Sequence, residues 1–490
     1  MSPHTLFAIR SRPRGRTALP LRGIGWQPGR TLAMRSSGLF RASAAGLVLS
    51  LAGCATYHAL PPPDHANLKP GLAQLNLTVP SDGSGAAPKT FNPENPLTPG
   101  EIGLIAVLNN PDLASEPGQL DAARADLLSE TLLPNPSVGL AYAFLLGGVA
   151  TSNSLAASIS QDIRSIITYS SRVKAAKVRL GQVSANLLWQ EWQVAQKARL
   201  LAVDIYADQR ELEVRSKELD LLNEEVGQVS AATAAGNLDV TAEAPLLAAK
   251  AGAESAIATA RMTLLKDWQS LDALVGLEPS VRFTIATPTP VELPDDIDSL
   301  VKSLPARRPD LVALRLGYEA SELDVRKAIV GQFPAFSLGV AGGWDTSHVS
   351  SAGPTINMDL PIFNRNQGVI ASASATRLQL RADYQARLDE AEGTSKALVA
   401  RQQVTKVNLE KSRTASQQAS SLADSALRAY RENNLGQRDL TDFQTTALER
   451  QLDVLGYQRT LDETTLALSI ELGTGFPKTM LVSPGKVKNP

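Results

Sequence analysis

The sequence carries the same series of short motifs twice, in the same order. Asn110–Leu113 is matched by Arg308–Leu311, and the two segments share the ending Pro-Asp-Leu. The other matched segments are 136–140 with 336–340, 236–241 with 436–441, and 274–276 with 471–473. The matched segments lie about 200 residues apart, and self-similarity on this scale indicates that one structural unit was duplicated. The chain is therefore predicted to fold as two similar halves.

Composition narrows the range of functions. The chain has 48 Lys and Arg against 49 Asp and Glu, which argues against a nucleic-acid binder that needs a basic face. Aromatic residues are 5% of the chain, low for a large globular core, and the abundant alanine suits long helices packed side by side. The single cysteine excludes an internal disulfide framework. Histidines and methionines are few and scattered, so we expect no metal site, no cofactor and no enzymatic chemistry.

The N-terminus is predicted to be a signal peptide covering residues 1–53. This stretch contains arginines but no acidic residue, and its apolar run at 42–53 is too short to span a bilayer as a helix. Leu51–Cys54 resembles a bacterial lipobox, which predicts that Cys54 becomes the first mature residue and carries covalent acyl chains. The alternative is a free cysteine behind an ordinary signal. Met34 precedes a signal of normal length, so residues 1–33 are interpreted as an upstream extension from a mis-called start.

The positions of proline and glycine divide the rest of the chain into segments. Residues 54–99 are rich in Pro, Gly, Ser and Asn and are predicted to form an extended tether behind the lipid anchor. Asn110 and Arg308 each precede a Pro-Asp pair typical of a helix start, and each helix is expected to end after about two dozen residues, before Pro134 and Pro334. The predicted segments are a first repeat at 100–277, a linker at 278–300, a second repeat at 301–477 and a tail at 478–490.

Each half then changes to a period of two residues. In the first half, Val138, Leu140, Tyr142 and Phe144 alternate with small residues, and a second alternating run covers 154–160. The second half repeats this at 336–345 and 354–360. One apolar face, one small or polar face and a length of about 10 residues are typical of membrane-barrel strands. The alternative is a pair of hairpins lying on a soluble core, and Pro354 weakens the assignment of the last strand.

Long helices are predicted after each hairpin. Proline is absent between Pro136 and Pro245 and between Pro361 and Pro477. Residues 164–235, as one helix, would be roughly 100 Å long, and they carry too many charges to lie in a membrane. Turns are expected at 235–237 and at 433–436. Each half is therefore a short helix, a β-hairpin, a very long helix, a turn and a returning helix.

Closure of the sheet requires several copies of the chain. Four strands cannot close a barrel, and open strand edges are not tolerated in lipid. Small membrane barrels begin at about eight strands, which two copies would supply, whereas three copies would supply about twelve. The long helices would then form a second cylinder in the aqueous compartment. The predicted fold is mainly α-helical with a transmembrane β-barrel contribution, and a wide barrel continuous with a helical tube is a conduit.

These features resemble the TolC-like outer membrane factors, the exit ducts of tripartite efflux pumps and type I secretion systems. The resemblance covers roughly residues 98–477 and rests on Arg307–Leu311, the Phe333-Pro334 break, Leu360–Asn364 and 436–444. It implies a homotrimeric channel-tunnel in the outer membrane of a Gram-negative bacterium, with a twelve-stranded barrel. It also implies docking on a periplasmic adaptor and an inner-membrane transporter. The lipidated N-terminus is similar to that of the branch with drug and metal pumps.

The resemblance places the functional region at the two helix turns, which form the periplasmic tip in this family. Asp439 and Asp442 are candidates for an acidic ring near the axis, and Arg438 and Asp239 for ion pairs that hold neighbouring helices together. Three copies of one aspartate around an axis would favour cations and raise one another's pKa values. Alternatively, these charges only solvate an exposed turn.

The leading functional hypothesis is a passive exit duct for small molecules or metal ions. The alternatives are a duct of a type I protein secretion system and, in a different class, a periplasmic coiled-coil lipoprotein without a pore. The matching strand pairs in both halves argue against the coiled-coil lipoprotein, because a coiled coil has no use for them. Gly339–Gly343 superficially suggests a phosphate loop, but it lies in a predicted strand with no helix start behind it, so small residues in a barrel wall explain it better.

Overall fold

The computed structural model describes residues 57–79, 89–144, 146–147, 152–289 and 296–474. The predictions for the signal peptide, Cys54 and the tail at 478–490 lie outside these residues. The chain divides into two units, at residues 1–66 and 67–490. In the first unit, residues 57–66 are exposed and contain neither helix nor strand. All elements described below belong to the second unit.

The order of elements repeats once along the chain, as the duplication predicted. A short hairpin comes first, formed by β1 (Thr78–Val79) and β2 (Lys89–Thr90). The first half then contains α1 (Pro99–Asn109), α2 (Glu116–Thr131), β3 (Ser137–Ala143), β4 (Ser154–Asp162), α3 (Ile163–Ala234) and α4 (Ala244–Val275). The second half contains α5 (Ile297–Lys302), α6 (Leu304–Arg307), α7 (Pro309–Val330), β5 (Ala335–Asp345), β6 (Ser350–Asp359), α8 (Gln367–Arg431) and α9 (Gln437–Glu471).

The helix predicted at 164–235 is confirmed as one unbroken element, α3, of 72 residues. Asp162 caps its first turn, because the carboxylate accepts a hydrogen bond from the backbone N–H of Arg164. A helix of this length spans roughly 100 Å. Its counterpart α8 has 65 residues. Pro245 stands in the first turn of α4, the position expected from the sequence.

Helix α3 is the centre of the helical packing and changes partners along its length. Near the strands it packs on α2 and α7, and toward the turns it packs on α4 and α9. Helix α8 packs on α7 and then on α9. Arg179 of α3 forms an ion pair with Asp324 of α7, and Arg459 of α9 bridges Asp204 and Asp208 of α3. The side-by-side order is thus α2–α3–α7–α8 at the strand end and α4–α3–α9–α8 at the turn end.

The four long strands form one antiparallel sheet in the order β3-β4-β5-β6. The two hairpins are therefore joined directly, by nine residue pairs between β4 and β5 that run from Ser154↔Asp345 to Asp162↔Ser337. Strands β3 and β6 are the edges. Pro354 does lie inside β6, where it pairs with Val340. An edge strand tolerates proline because one side of its backbone has no ladder partner.

The two halves have equivalent corners where a returning helix ends beside the start of a short helix. In the first half, the amide of Asn110 donates to the carbonyl of Leu274 (2.7 Å) and its oxygen accepts from the backbone N–H groups of Asp112 and Leu113. In the second half, Arg308 binds Asp310 through two nitrogens (3.0 and 2.7 Å) and also contacts Glu471. The matched segments of the sequence therefore meet one another in space.

The tether predicted at 54–99 needs correction for its C-terminal part. From Lys69 onward the chain is tied to the segment after α4, since Lys69 and Leu97 each exchange backbone hydrogen bonds with residues in 276–286. The side chains of this strap are buried with α1, α3 and α4 in the largest apolar cluster. Its buried members are Leu72, Leu75, Val79, Phe91 and Leu97. Burial of these apolar side chains outweighs the irregular backbone that the composition indicated.

Helix α1 was not predicted from the sequence. Thr98 and Glu101 form a capping box, in which each side chain accepts a hydrogen bond from the other residue's backbone N–H. The start at Asn110 also differs from the single helix that was expected. Asn110 caps a short 3₁₀ turn at Asp112–Ser115, and α2 begins only after it.

Candidate functional site

One face of the sheet is apolar and exposed. The register places Val138, Ile159, Val340 and Pro354 in one row across all four strands. Residues of the same parity extend this face. Its large exposed members include Leu140, Tyr142, Phe144, Leu338, Trp344, Ile356 and Met358. Apart from Gln161 and Ser350, which pair with Leu338 and Trp344, the face is apolar, and an exposed apolar face of this extent is the kind of surface that a barrel presents to lipid.

The opposite face of the sheet consists of small and hydroxyl-bearing side chains. One row across it contains Ser137, Ser160, Gly339 and Thr355. The strands approach closely at Gly339, where an added Cβ would lie 2.3 Å from the carbonyl oxygen of Ile159. Small or polar residues on one face and apolar residues on the other are the pattern of membrane-barrel strands, and the register of the four strands confirms this alternation with the exceptions of Gln161 and Ser350.

The sheet is nevertheless incomplete within one chain. Strands β3 and β6 each pair on one side only, so both edges carry unpaired backbone groups. Such edges require a partner strand, particularly in an apolar environment. Among the described residues, no helix is both long and apolar enough to cross a membrane.

The helical layer also has two open sides with exposed apolar residues. On one side, α4 exposes Leu247, Met262 and Leu265. On the other, α8 exposes Val404, Val407 and Leu422. Since these two sides belong to opposite ends of the order α4–α3–α9–α8, the surfaces are suited to contact one another between copies of the chain.

The two long helices end in the same backbone motif. At the end of α3, Gly236 adopts a left-handed conformation (φ +77°) and the N–H of Asn237 bonds to the carbonyl of Ala232. At the end of α8, Asn433 is left-handed (φ +60°) and the N–H of Asn434 bonds to the carbonyl of Ala429. This is the Schellman arrangement, in which Gly or Asn takes the left-handed position and stops the helix. Both predicted turns are therefore confirmed, and for the same physical reason.

The four charged residues proposed for the tip lie at or beside these turns and are exposed. Asp239 caps the 3₁₀ turn before α4 by accepting from the backbone N–H (2.8 Å) and the hydroxyl (2.7 Å) of Thr241. These hydrogen bonds lower the pKa of its carboxyl. Arg438, Asp439 and Asp442 stand in the first turns of α9. An ion pair of Arg438 or Asp239 with a neighbouring subunit stays a prediction.

A buried carboxyl group at this end of the helices was not predicted from the sequence. Glu225 of α3 is 2% exposed, and its Oε1 has no hydrogen-bond partner. Burial and the negative charge of Asp442 raise the pKa of Glu225, while Arg438 acts in the opposite direction. The buried hydroxyls of Thr441 and Thr445 on α9 are also unpartnered. A signal was present in the sequence: Glu225 follows the buried Leu222 by one helical turn and lies on the same face of α3.

The turn end thus brings the two halves together. Glu225 comes from the first half, and Arg438, Thr441 and Asp442 come from the second, so that mixed charges and unpartnered polar groups lie across the contact between α3 and α9. Polar contacts of this kind are individually weak, and they are disturbed by a small displacement of one helix along the other.

A one-sided apolar sheet with open edges, continued by paired helical hairpins, defines the fold class. No family model matches the sequence, and no curated protein matches it. Solved structures do match. The CmeC outer membrane channel of Campylobacter jejuni has a TM-score of 0.65 at 14% identity, over 79% of this chain and 88% of that one. The outer membrane protein VceC of Vibrio cholerae has a TM-score of 0.61 at 20% identity, over 76% and 96%.

The Neisseria gonorrhoeae MtrE outer membrane channel, solved in an open state, has a TM-score of 0.56 at 16% identity, over 82% of this chain and 98% of that one. At these identities the likeness concerns the fold. This chain therefore has the fold of the outer membrane channels, and the resemblance to outer membrane factors expected from the sequence is confirmed at that level.

Proposed function

We propose that this chain is one subunit of a passive exit duct in the outer membrane, part of a tripartite efflux system. The observation that carries the proposal is the sheet, which exposes one apolar face and leaves both edges unpaired. A sheet of this kind is stable in lipid only when further copies close it into a barrel. The shared fold with outer membrane channels such as CmeC supports the same function.

We infer a homotrimer. One chain supplies four strands, so three copies would supply about twelve, within the range of known membrane barrels. The exposed apolar residues of α4 and α8 support a head-to-tail ring, because each subunit would offer its α4 side to the α8 side of the next. The small inner face of the sheet would then surround the pore.

The duct is proposed to work without chemistry of its own. An inner-membrane transporter would supply energy and select the small molecules or metal ions, and a periplasmic adaptor would join the two. The mature N-terminus is proposed to carry acyl chains on Cys54 that insert into the outer membrane. The mass of the mature N-terminal peptide checks this, since an unmodified Cys54 would contradict the anchor.

The turn end is the proposed aperture. Three copies of Asp442 would place a ring of negative charge at this end, which favours cations and adds to the barrier for anions. Contacts between α3 and α9 at Glu225 would hold the aperture narrow. Opening is proposed to require the partner proteins.

The test is single-channel conductance in planar bilayers, with the molar mass of the same purified mature protein measured by light scattering. We expect a trimer with small, cation-selective steps. Asp442→Ala should raise the conductance and weaken the cation preference, because it removes charge from the aperture. Glu432→Ala is the matched control, since this exposed carboxylate lies at the α8 end of the same turn and outside the α3–α9 contact.

One outcome would overturn the duct, and two others would overturn only the proposed aperture. A monomer or dimer without conductance would remove the barrel and favour the lipoprotein without a pore. An unchanged conductance in Asp442→Ala would assign Asp442 to a solvated turn and leave the duct itself intact. An equal change in Glu432→Ala would mean that surface charge in general, and not the aperture, sets the conductance.

A further inference from the structure

A pair of buried carboxyl groups lies where α2 begins against α3, far from the turn end. Glu116 opens α2 and is 5% exposed, whereas Glu191 lies in the middle of α3 and is fully buried. Among the described residues, three of their four carboxyl oxygens are buried without a hydrogen-bond partner: Oε1 of Glu116 and both oxygens of Glu191. Two ionised carboxylates buried without partners would strongly destabilise the folded chain.

The side chains of Glu116 and Glu191 contact each other, so a proton on one carboxyl group can supply the hydrogen-bond donor that the other lacks. A protonated carboxyl group donates its O–H to a neighbouring carboxylate, so that one proton supplies the missing donor for both groups. We propose that Glu116 and Glu191 are joined by a hydrogen bond that requires a proton on at least one of the two carboxyl groups, and that this bond fastens the start of α2 to α3 in a pH-dependent way.

The surroundings of the pair support this assignment. Burial raises the pKa of Glu116 to about 7, and burial together with the charge of Glu116 raises the pKa of Glu191 to about 8. Beside it lies the apolar cluster of Val107, Leu113 and Ala195, which offers no hydrogen bond.

Charged groups on the adjoining elements do not neutralise the pair. Asp112, in the turn before α2, is exposed. Arg199, two helical turns farther along α3, contacts Gln196. Arg308 and Glu471 bind each other beside Trp189. No cation contributes to the pKa of either glutamate, in contrast to Asp310 between its two arginines.

The sign of the pH dependence follows from the raised pKa values. Because the folded pair keeps at least one proton up to about pH 8, whereas the unfolded chain releases both protons near the ordinary pKa of 4.5, the contribution of the pair is complete below pH 4.5. It is lost as the pH rises through about 7 to 8.

The test is backbone hydrogen exchange of the purified full-length protein, with protection at residues 112–120 corrected for the intrinsic exchange rate at each pH. In the wild type, protection should fall about tenfold or more between pH 6 and pH 9. The double variant Glu116→Gln with Glu191→Gln should keep its protection at both pH values, because two amides form the same hydrogen bond without a titrating proton. Asp126→Asn, on the exposed side of α2, is the control and should behave as the wild type.

Infrared spectroscopy of the wild type gives a measurement that does not depend on a variant folding. A protonated carboxyl stretch should be present at pH 6, shift on exchange into D₂O and disappear at pH 9. Its absence at pH 6 would overturn the proton-dependent hydrogen bond. Equal protection of the wild type at both pH values would also overturn it, and so would the same loss of protection in the double glutamine variant.

Discussion

The two equivalent corners, one in each half of the chain, have the same place in the fold but opposite chemistry. The first corner is neutral, since Asn110 is 4% exposed and satisfies one carbonyl and two backbone N–H groups. The second is ionic, since Arg308 is 1% exposed and binds Asp310 and Glu471, while Arg387 binds the same Asp310 at 2.7 Å. The guanidinium of Arg308 also lies 5.0 Å from the ring centroid of Trp189.

This difference shows how a duplicated unit can diverge without changing its fold. Both corners must satisfy the end of one helix and the start of another in a buried place. A short amide does so with hydrogen bonds alone. A buried arginine requires carboxylates beside it, because a buried charge without an opposite charge destabilises the fold. The second corner therefore depends on more residues and is expected to be more sensitive to substitution and to acid.

The largest expected effect is that of Arg308→Ala. It leaves Asp310 and Glu471 without their main partner, and breaking a buried ion pair in this way costs about 3–5 kcal/mol. Thermal unfolding of the detergent-solubilised protein measures the loss. Arg413→Ala is the control, because this exposed arginine of α8 removes a charge without opening a buried pair. Equal losses in the two variants would remove the distinction between the corners.

A smaller loss is expected for Asn110→Ala. The substitution leaves the carbonyl of Leu274 and two backbone N–H groups without their partner, at a cost of about 1–3 kcal/mol. The same unfolding measurement applies. Asn110→Asp sharpens the comparison, because it keeps the two accepted hydrogen bonds but places a charge in a corner that has no arginine. If Asn110→Ala costs more than Arg308→Ala, the neutral corner is the stronger of the two.

The smallest expected effect is the response to acid. Burial alone would raise the pKa of Asp310, but the hydrogen bonds and charges of Arg308 and Arg387 outweigh it and lower that pKa below 3.8. The stabilisation is therefore complete above the ordinary pKa and is lost as the pH falls below it. Asp310→Asn should destabilise the protein less at about pH 3 than at about pH 6. A penalty that does not change with pH would contradict the assignment.

Most of the fold could be predicted because its signals are local. Alternation of side chains gave the four strands, the absence of proline gave α3, and the left-handed positions at Gly236 and Asn433 follow short polar sequences. The capping box of Thr98 and Glu101 is also a local signal, and it indicates the start of α1. The strap at 69–97 was not predictable in this way, because its partners lie about 200 residues away and local composition does not report them.

The features of the candidate site also separate into those with local sequence signals and those that depend on distant contacts. The sequence located the turns and the charges of Arg438, Asp439 and Asp442 beside them. It did not predict the burial of Glu225, or that of Glu116 against Glu191, because each depends on contact between two helices. Which charges face a pore depends on other copies of the chain, and that part of the site stays a prediction.

The uninterrupted helix α3 also has a mechanical consequence. A rod of roughly 100 Å without a hinge converts a tilt of about 5° at Ile163 into a displacement of roughly 9 Å at Ala234. The ion pairs of Arg179 with α7 and of Arg459 with α9 then limit how much of that displacement reaches the far end of the helix. A force applied at the sheet and a force applied at the turns therefore act on opposite ends of one continuous helix.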